Sequence, residues 1–141
     1  MSLAILQPII VLVLWSMVMW VWLYVTRVPA MLRARTKLDP TLPRDVMLGG
    51  LPPQVRWKAD NYNHLMEQPT LFYATALTLA LLEQGDALTV GLAWAYVGLR
   101  IAHSLIQALV NVIIVRFSVF MIASGVLVVL ALRAAAVVFQ A

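Results

Sequence analysis

Polar side chains that can bind a ligand or exchange protons recur at helical spacing within apolar stretches of this chain. Asp60, His64 and Glu67 stand at positions i, i+4 and i+7, with Asn63 beside them, and so share one face of a helix. Carboxylates and imidazoles on one face offer a polar binding surface or a proton path. The pattern predicts a functional site on this face.

A second polar face follows further along the chain. Its members, spaced at i, i+3, i+7 and i+11, are Arg100, His103, Gln107 and Asn111. Arg116 stands at the start of the next apolar stretch. We expect the two faces to meet, with Arg116 at their mouth.

The composition places both faces inside a membrane. Of the 141 residues, 63% are hydrophobic and only 11% are charged, and the mean hydropathy is +0.91. Four apolar stretches are long enough to cross a bilayer, about 3–25, 60–83, 87–110 and 116–139. The predicted fold class is all-α, an integral-membrane four-helix bundle that forms one domain over residues 1–141.

The loop between the first two stretches, residues 26–59, carries most of the positive charge. Seven of the ten basic residues lie in it, namely Arg27, Arg33, Arg35, Lys37, Arg44, Arg56 and Lys58. Because basic loops remain on the cytoplasmic side, this loop is predicted to be cytoplasmic and both termini to lie on the opposite side. Topology and anionic lipid headgroups explain the charge, so no nucleic acid partner is expected.

Charged residues inside a membrane span cost about 2.5–3.5 kcal/mol each on insertion scales, and they usually face the bundle interior. With a rise of about 1.5 Å per residue, Glu67 lies roughly 13 Å and Arg100 roughly 16 Å from the cytoplasmic edge. These similar depths predict an interhelical Glu67–Arg100 ion pair. Pro69 lacks a backbone N–H and predicts a kink one helical turn past Glu67. Arg133, near the opposite interface, is interpreted as a snorkelling side chain.

Other interpretations of the two polar faces remain open. Polar residues between membrane helices often serve only to hold a bundle together. Asp60, His64, Glu67 and His103 could instead line a small ion or proton pathway. No metal site is predicted, because His64 and His103 offer two ligands without a third. Since the chain contains no cysteine, any thiol chemistry must use a thiol that a substrate brings.

These residues resemble the MAPEG family, the membrane-associated proteins in eicosanoid and glutathione metabolism. Arg100-Ile-Ala-His103 looks like the family's Arg-x-x-His in the third span. Arg116 follows Arg100 at the sixteen-residue step at which the family's transferases carry a thiol-activating arginine. Glu67-Gln68-Pro69, followed by Leu71-Phe72, is similar to the family's second span. The resemblance covers essentially the whole chain and is to a microsomal glutathione transferase-like member of bacterial type.

The resemblance implies a homotrimer of four-helix subunits that binds glutathione as a co-substrate near the cytoplasmic side. It assigns Arg116 to stabilising the glutathione thiolate. Glu67 and Arg100 would hold the peptide, and Arg33 or Arg35 of the basic loop would bind its carboxylates. The implied glutathione-binding set is completed by Asn63, His64, His103 and Gln107. The implied partners are the lipid bilayer, a hydrophobic small-molecule substrate and further copies of the chain.

Three positions depart from the family's pattern. When Glu67 is aligned, Asp60 stands where the transferases carry an arginine and His64 where they carry an asparagine. Gln107 stands where they usually carry a tyrosine. An acid in place of that cation would repel a carboxylate. The sequence predicts a membrane-embedded glutathione transferase or peroxidase that acts on hydrophobic electrophiles or lipid hydroperoxides. The alternative is a non-catalytic lipid-binding or scaffold trimer of the same fold.

Overall fold

The computed structural model describes residues 3–140, and within this range every regular element is a helix. A 3₁₀ turn over Leu3–Ile5 leads into six α-helices, which are α1 Leu6–Arg33, α2 Arg44–Leu48, α3 Pro53–Met66, α4 Pro69–Leu81, α5 Ala87–Leu109 and α6 Ile113–Gln140. The long helices alternate in direction. One end of the bundle, here called the loop end, carries residues 34–52 and 110–112, and the far end carries residues 82–86. The predicted all-α class is confirmed.

Three helical segments are long and apolar enough to cross a membrane, namely Leu3–Arg33, Ala87–Leu109 and Ile113–Gln140. The stretch predicted as the second span instead forms two helices, α3 and α4. Glu67, between them, has φ −87° and ψ −97°, which is outside the helical region. Pro69 begins α4, where its missing N–H costs nothing because the first turn of a helix has no intrahelical acceptor for it. The kink predicted at Pro69 is therefore a complete break.

Helix α5 is the centre of the bundle and packs against α1, α3 and α6. Ala93, Ser104 and Ala108 on its inner side are fully buried and small, so neighbouring helices can approach closely. Ser104 Oγ accepts hydrogen bonds from Trp15 Nε1 at 3.0 Å and from Asn61 Nδ2 at 2.7 Å. One serine on α5 thus ties both α1 and α3 to the central helix.

The outward side of α6 is covered with large apolar side chains. Ile114, Phe117, Ile122 and Leu132 are each more than half exposed. A contiguous surface of this kind is unfavourable in water, whereas in a bilayer it contacts lipid tails. The outer surface of the bundle therefore fits a membrane environment.

At the far end, Arg133 of α6 is bound to the start of α5. Its Nη2 donates to the two carboxylate oxygens of Asp86 at 3.0 and 3.1 Å, and its Nε donates to Thr89 Oγ1 at 3.0 Å. Asp86 also accepts a hydrogen bond from the Thr89 backbone N–H at 3.1 Å and so caps α5. Arg133 thus extends its charge to the end of the bundle, as a snorkelling side chain does, and the charge is there paired with Asp86.

We expect the negative charge of Asp86 to stabilise the fold in a pH-dependent manner. Hydrogen bonding from Thr89, followed by the charge of Arg133, lowers the pKa of Asp86 below its ordinary value of 3.8. A pKa lowered in the folded state adds stability above the unfolded value, and that stability is lost as the pH falls through the folded value. Asp86→Asn, which keeps a capping side chain, should therefore melt at a lower temperature than the wild type at neutral pH, and the difference should disappear in acid.

Thermal unfolding in detergent over a pH series measures this difference. The matched control is Lys37→Gln, which removes a charge from an exposed position in the loop. It should leave the melting temperature unchanged throughout the series. A difference between Asp86→Asn and the wild type that is equally large in neutral and acidic buffer would contradict the prediction.

Candidate functional site

A polar cavity of about 450 Å³ opens at the loop end of the bundle. The charged side chains that line it are Arg27, Arg44, Asp45, Arg56, Asp60 and Arg116. Four guanidinium groups against two carboxylates leave the cavity with a net positive charge. A concave site with this balance attracts anionic ligands.

Four helices position these side chains, with Arg27 on α1 and Arg116 on α6. On α3, Arg56, Asp60 and Asn63 lie at i, i+4 and i+7, so one face of the helix forms a wall of the cavity. The short helix α2 contributes Arg44 and Asp45 from its first turn. It ends at Gly49, where a Cβ atom would come within 2.8 Å of the Asp45 carbonyl oxygen, so glycine permits this tight closure of the cavity rim.

Arg116 is oriented by the turn that precedes α6. Its Nη1 donates to Asn111 Oδ1 at 2.7 Å. Asn111 has a left-handed backbone with φ 50°, and its N–H donates to the Ile106 carbonyl at 2.6 Å, which ends α5 in a conformation that asparagine tolerates well. The prediction that Asn111 continues the polar face of the third span is therefore wrong, because the helix has already ended. Its amide instead fixes the guanidinium of Arg116.

Arg116 also borders a second, mainly apolar pocket of about 220 Å³. The other residues of its lining are His64, His103, Ile113, Phe117 and Phe120. The ring centroids of His64 and His103 lie 6.0 Å apart, as do those of His103 and Phe120. The same arginine thus separates a charged cavity from an apolar pocket with two imidazoles in its lining.

The predicted ion pair between Glu67 and Arg100 is wrong. The Glu67 side chain is 68% exposed, and its Oε2 lies 3.5 Å from Nδ1 of the His64 imidazole. Arg100 is only 1% exposed, and its Nη2 donates to the His64 backbone carbonyl at 2.9 Å, while its guanidinium carbon lies 5.6 Å from the centre of the Phe120 ring. The break after α3 leaves the Glu67 side chain exposed, and the His64 carbonyl accepts from the Glu67 N–H at 3.4 Å as well as from Arg100.

We expect substitutions of Arg100 and Glu67 to affect stability almost independently. Arg100→Gln loses a charged hydrogen bond to a buried carbonyl and should lower the free energy of unfolding by about 1.5–3 kcal/mol. Glu67→Gln changes an exposed side chain and should cost less than about 0.5 kcal/mol. Denaturant or thermal unfolding of the two single variants and the double variant forms a cycle in which we expect the losses to add. If the double variant were more stable than Arg100→Gln alone, this would contradict additivity and support the ion pair between Glu67 and Arg100.

The remaining predicted site residues lie apart from both cavities in this chain. Gln107 is 1% exposed, with its Oε1 buried and without a hydrogen-bond partner among residues 3–140. Arg33, at the end of α1, lines a separate groove with Pro29, Val25 and Val55. The structure therefore brings together Asn63 with Arg116 in the polar cavity, and His64 and His103 with Arg116 in the apolar pocket.

The sequence pattern does not single out Arg27, Arg44 or Arg56 as site residues. All three stand among the seven basic residues of the loop region, where topology alone explains them. They meet only because α2 folds back towards α3, and nothing in the spacing of the three arginines predicts that fold. Only their common position in the lining of the polar cavity identifies the three arginines as candidate anion-binding residues.

The described residues offer no built site for a metal ion. Among residues 3–140 no group of three or more histidine, aspartate or glutamate side chains lies close enough to hold one, and His64 and His103 stand as a pair. The residues that line both cavities instead supply cations, amides and aromatic rings. This set suits an organic anion and an apolar molecule.

Comparison with known proteins gives one match. Residues 5–136, nearly the whole chain, match the family model described as the MAPEG family. No curated protein and no solved structure matches the chain. The family match includes all the residues that line the two cavities, and it confirms the family predicted from the sequence.

Proposed function

The chain belongs to the MAPEG family of membrane proteins in eicosanoid and glutathione metabolism, and from this premise we propose that it is a glutathione-dependent transferase or peroxidase. Its substrates would be hydrophobic electrophiles or lipid hydroperoxides. The observation that carries the proposal is the position of Arg116, which lines the polar cavity and the apolar pocket at once. A thiol held in the first and a substrate held in the second would meet at its guanidinium.

The proposed role of Arg116 is to stabilise a thiolate. A free thiol has a pKa of about 8.5 and is mostly protonated at pH 7, whereas the thiolate is the nucleophile. A fixed cation beside the sulfur lowers that pKa and raises the fraction that can react. The hydrogen bond from Arg116 to Asn111 holds the cation in place before any ligand arrives.

The polar cavity suits the rest of the glutathione molecule. Its volume of about 450 Å³ falls in the range of roughly 300–1,000 Å³ that is typical of small-molecule sites. Glutathione carries two carboxylates, and Arg27, Arg44 and Arg56 are available to bind them in addition to Arg116. The carboxylates would therefore bind to these three arginines and not to Arg33, which lines a different groove.

The apolar pocket suits the second substrate. Ile113, Phe117 and Phe120 offer apolar surface to a molecule that enters from the bilayer. In a transferase the thiolate sulfur forms a bond to the electrophilic carbon and the leaving group departs with its electron pair. In a peroxidase the sulfur attacks the hydroperoxide, the O–O bond breaks and the released alkoxide takes up a proton, and a second thiol then reduces the oxidised sulfur. His64 and His103 border the pocket where such a proton is needed.

Thiolate absorbance in the ultraviolet tests the proposal. Glutathione titrated with wild-type protein at pH 7 should give a saturable thiolate signal, and Arg116→Ala should reduce it about tenfold or more, since each unit of pKa is a factor of ten. Asn111→Gly keeps the left-handed turn but removes the hydrogen bond to Arg116, so it should lower the signal while the protein stays folded. The matched control Arg35→Gln alters an arginine that lines neither cavity and should bind like the wild type.

The competing function is a non-catalytic lipid-binding or scaffold trimer. It is favoured by the purely structural use of several polar residues, such as Trp15, Asn61 and Ser104, which hydrogen-bond one another inside the bundle. This function requires no thiolate. Absence of a thiolate signal in the wild type would favour it and would contradict the enzyme proposal.

The proposed arrangement in the membrane is a homotrimer whose basic loop faces the cytoplasm, with both termini on the other side. The seven basic residues of positions 26–59 support this orientation. Because the chain has no cysteine, Lys37→Cys provides a single labelling site in the loop. A membrane-impermeant maleimide should label this cysteine in inverted vesicles and not in intact cells. Labelling in intact cells would contradict the proposed orientation and place the loop outside.

A further inference from the structure

The polar cavity contains two carboxylates that its arginines do not neutralise. Asp45 and Asp60 are both exposed on the lining. Arg27 lies near enough to Asp60 and to Arg44 for their charges to interact. Within residues 3–140, however, neither aspartate forms an ion pair with any of the arginines. Both carboxylates are therefore available to a ligand.

A cavity with free charges of both signs is selective for a ligand with charges of both signs. A purely anionic ligand would gain from the arginines but would be repelled by the aspartates. A purely cationic ligand would be repelled by the four arginines. A zwitterion that presents carboxylates to the arginines and an ammonium group to an aspartate gains from both.

Asp60 is better placed than Asp45 to bind the ammonium group. It lies on α3 between Arg56, one turn towards the loop, and Asn63, one turn towards the membrane. A ligand on this face would therefore meet a cation, an anion and an amide in succession. Asp45 instead belongs to the five-residue helix α2 at the cavity rim.

We propose that Asp60 binds the free α-ammonium group of the thiol co-substrate and so restricts the protein to zwitterionic amino-acid thiols such as γ-glutamyl peptides. This inference rests on the proposed function. Asp60 is thereby a specificity-determining residue. It stands at the position of the family's arginine, and the positive charge of the cavity comes instead from Arg27 of α1, Arg44 of α2 and Arg56 of α3. Thiols whose amine is absent or acylated leave the Asp60 carboxylate unpaired.

Direct binding of thiol-free ligands tests Asp60 separately from thiolate formation. The probes are S-methylglutathione and the same molecule without its α-amino group, titrated calorimetrically into protein in nanodiscs. The wild type should bind the amino compound about tenfold more tightly or better, the effect expected of one charged hydrogen bond. Asp60→Asn should remove this preference by weakening the binding of the amino compound only. Asp45→Asn, the matched control in the same cavity, should retain the preference.

The charge reversal Asp60→Arg tests whether this position binds the ammonium group or a carboxylate of the ligand. If Asp60 binds an ammonium group, the variant should bind the amino compound more weakly than Asp60→Asn does. Tighter binding in Asp60→Arg, or equal binding of both compounds by the wild type, would overturn the inference. Asp60 is exposed and makes no hydrogen bond within the described chain, so these variants should fold, and the wild-type comparison requires no variant at all.

Failure of this inference differs from failure of the proposed function. A wild type that binds both probes equally and still gives an Arg116-dependent thiolate signal with glutathione would overturn only the role of Asp60. A wild type that binds neither probe and gives no thiolate signal would overturn both. A preference for the amino compound that survives in Asp60→Asn and is lost in Asp45→Asn would assign the ammonium to Asp45 and reject Asp60.

Discussion

The hydrogen bond from Arg100 to the His64 carbonyl is the contact on which the geometry of the site depends. A helix that breaks within a membrane leaves backbone groups that lipid cannot satisfy. Pro69 begins a new helix after such a break, and the His64 carbonyl beside it accepts from the Glu67 N–H at 3.4 Å and, more closely, from Arg100 Nη2 of α5 at 2.9 Å. With that carbonyl occupied, α3 can end there and direct its cavity-lining face towards the loop end. The buried guanidinium of Arg100 is thus bonded to the backbone at the break through Nη2, while its Nε and Nη1 have no hydrogen-bond partner among residues 3–140.

The segment beyond the break is fixed in the same way. Gln68 donates to Ser124 Oγ at 2.8 Å and accepts from Tyr96 at 3.2 Å, so a residue outside any helix is held by α5 and α6. Polar side chains of the spans therefore perform two separate tasks. Several in the middle of the bundle hydrogen-bond one another or the backbone, although His103 Nδ1 and Gln107 Oε1 have no partner among residues 3–140, and those at the loop end remain available to a ligand. A polar residue in a span is not by itself a sign of a binding site.

The sequence predicts those features that follow from composition and local chain chemistry. Apolar length is sufficient to locate α1, α5 and α6, and the missing N–H of Pro69 is sufficient to predict an interruption after Glu67. The depths of Glu67 and Arg100 could also be derived, but a similar depth does not decide which way a side chain points once the helix has broken. The convergence of Arg27, Arg44 and Arg56 could not be predicted, because it depends on the path of a proline-rich loop that has no periodicity.

The break also connects the stability of the bundle with its chemistry. His64 accepts a hydrogen bond from Arg100 through its carbonyl and lines the apolar pocket with its imidazole, so one residue both stabilises the bundle and borders the candidate site. Arg116 of α6 lines the same pocket and is held by Asn111, whose left-handed backbone ends α5. The two groups that flank the pocket are therefore positioned by helix ends. In a membrane, helix ends are the places where polar groups are free to act, and this chain brings two of them together at the boundary between a charged and an apolar space.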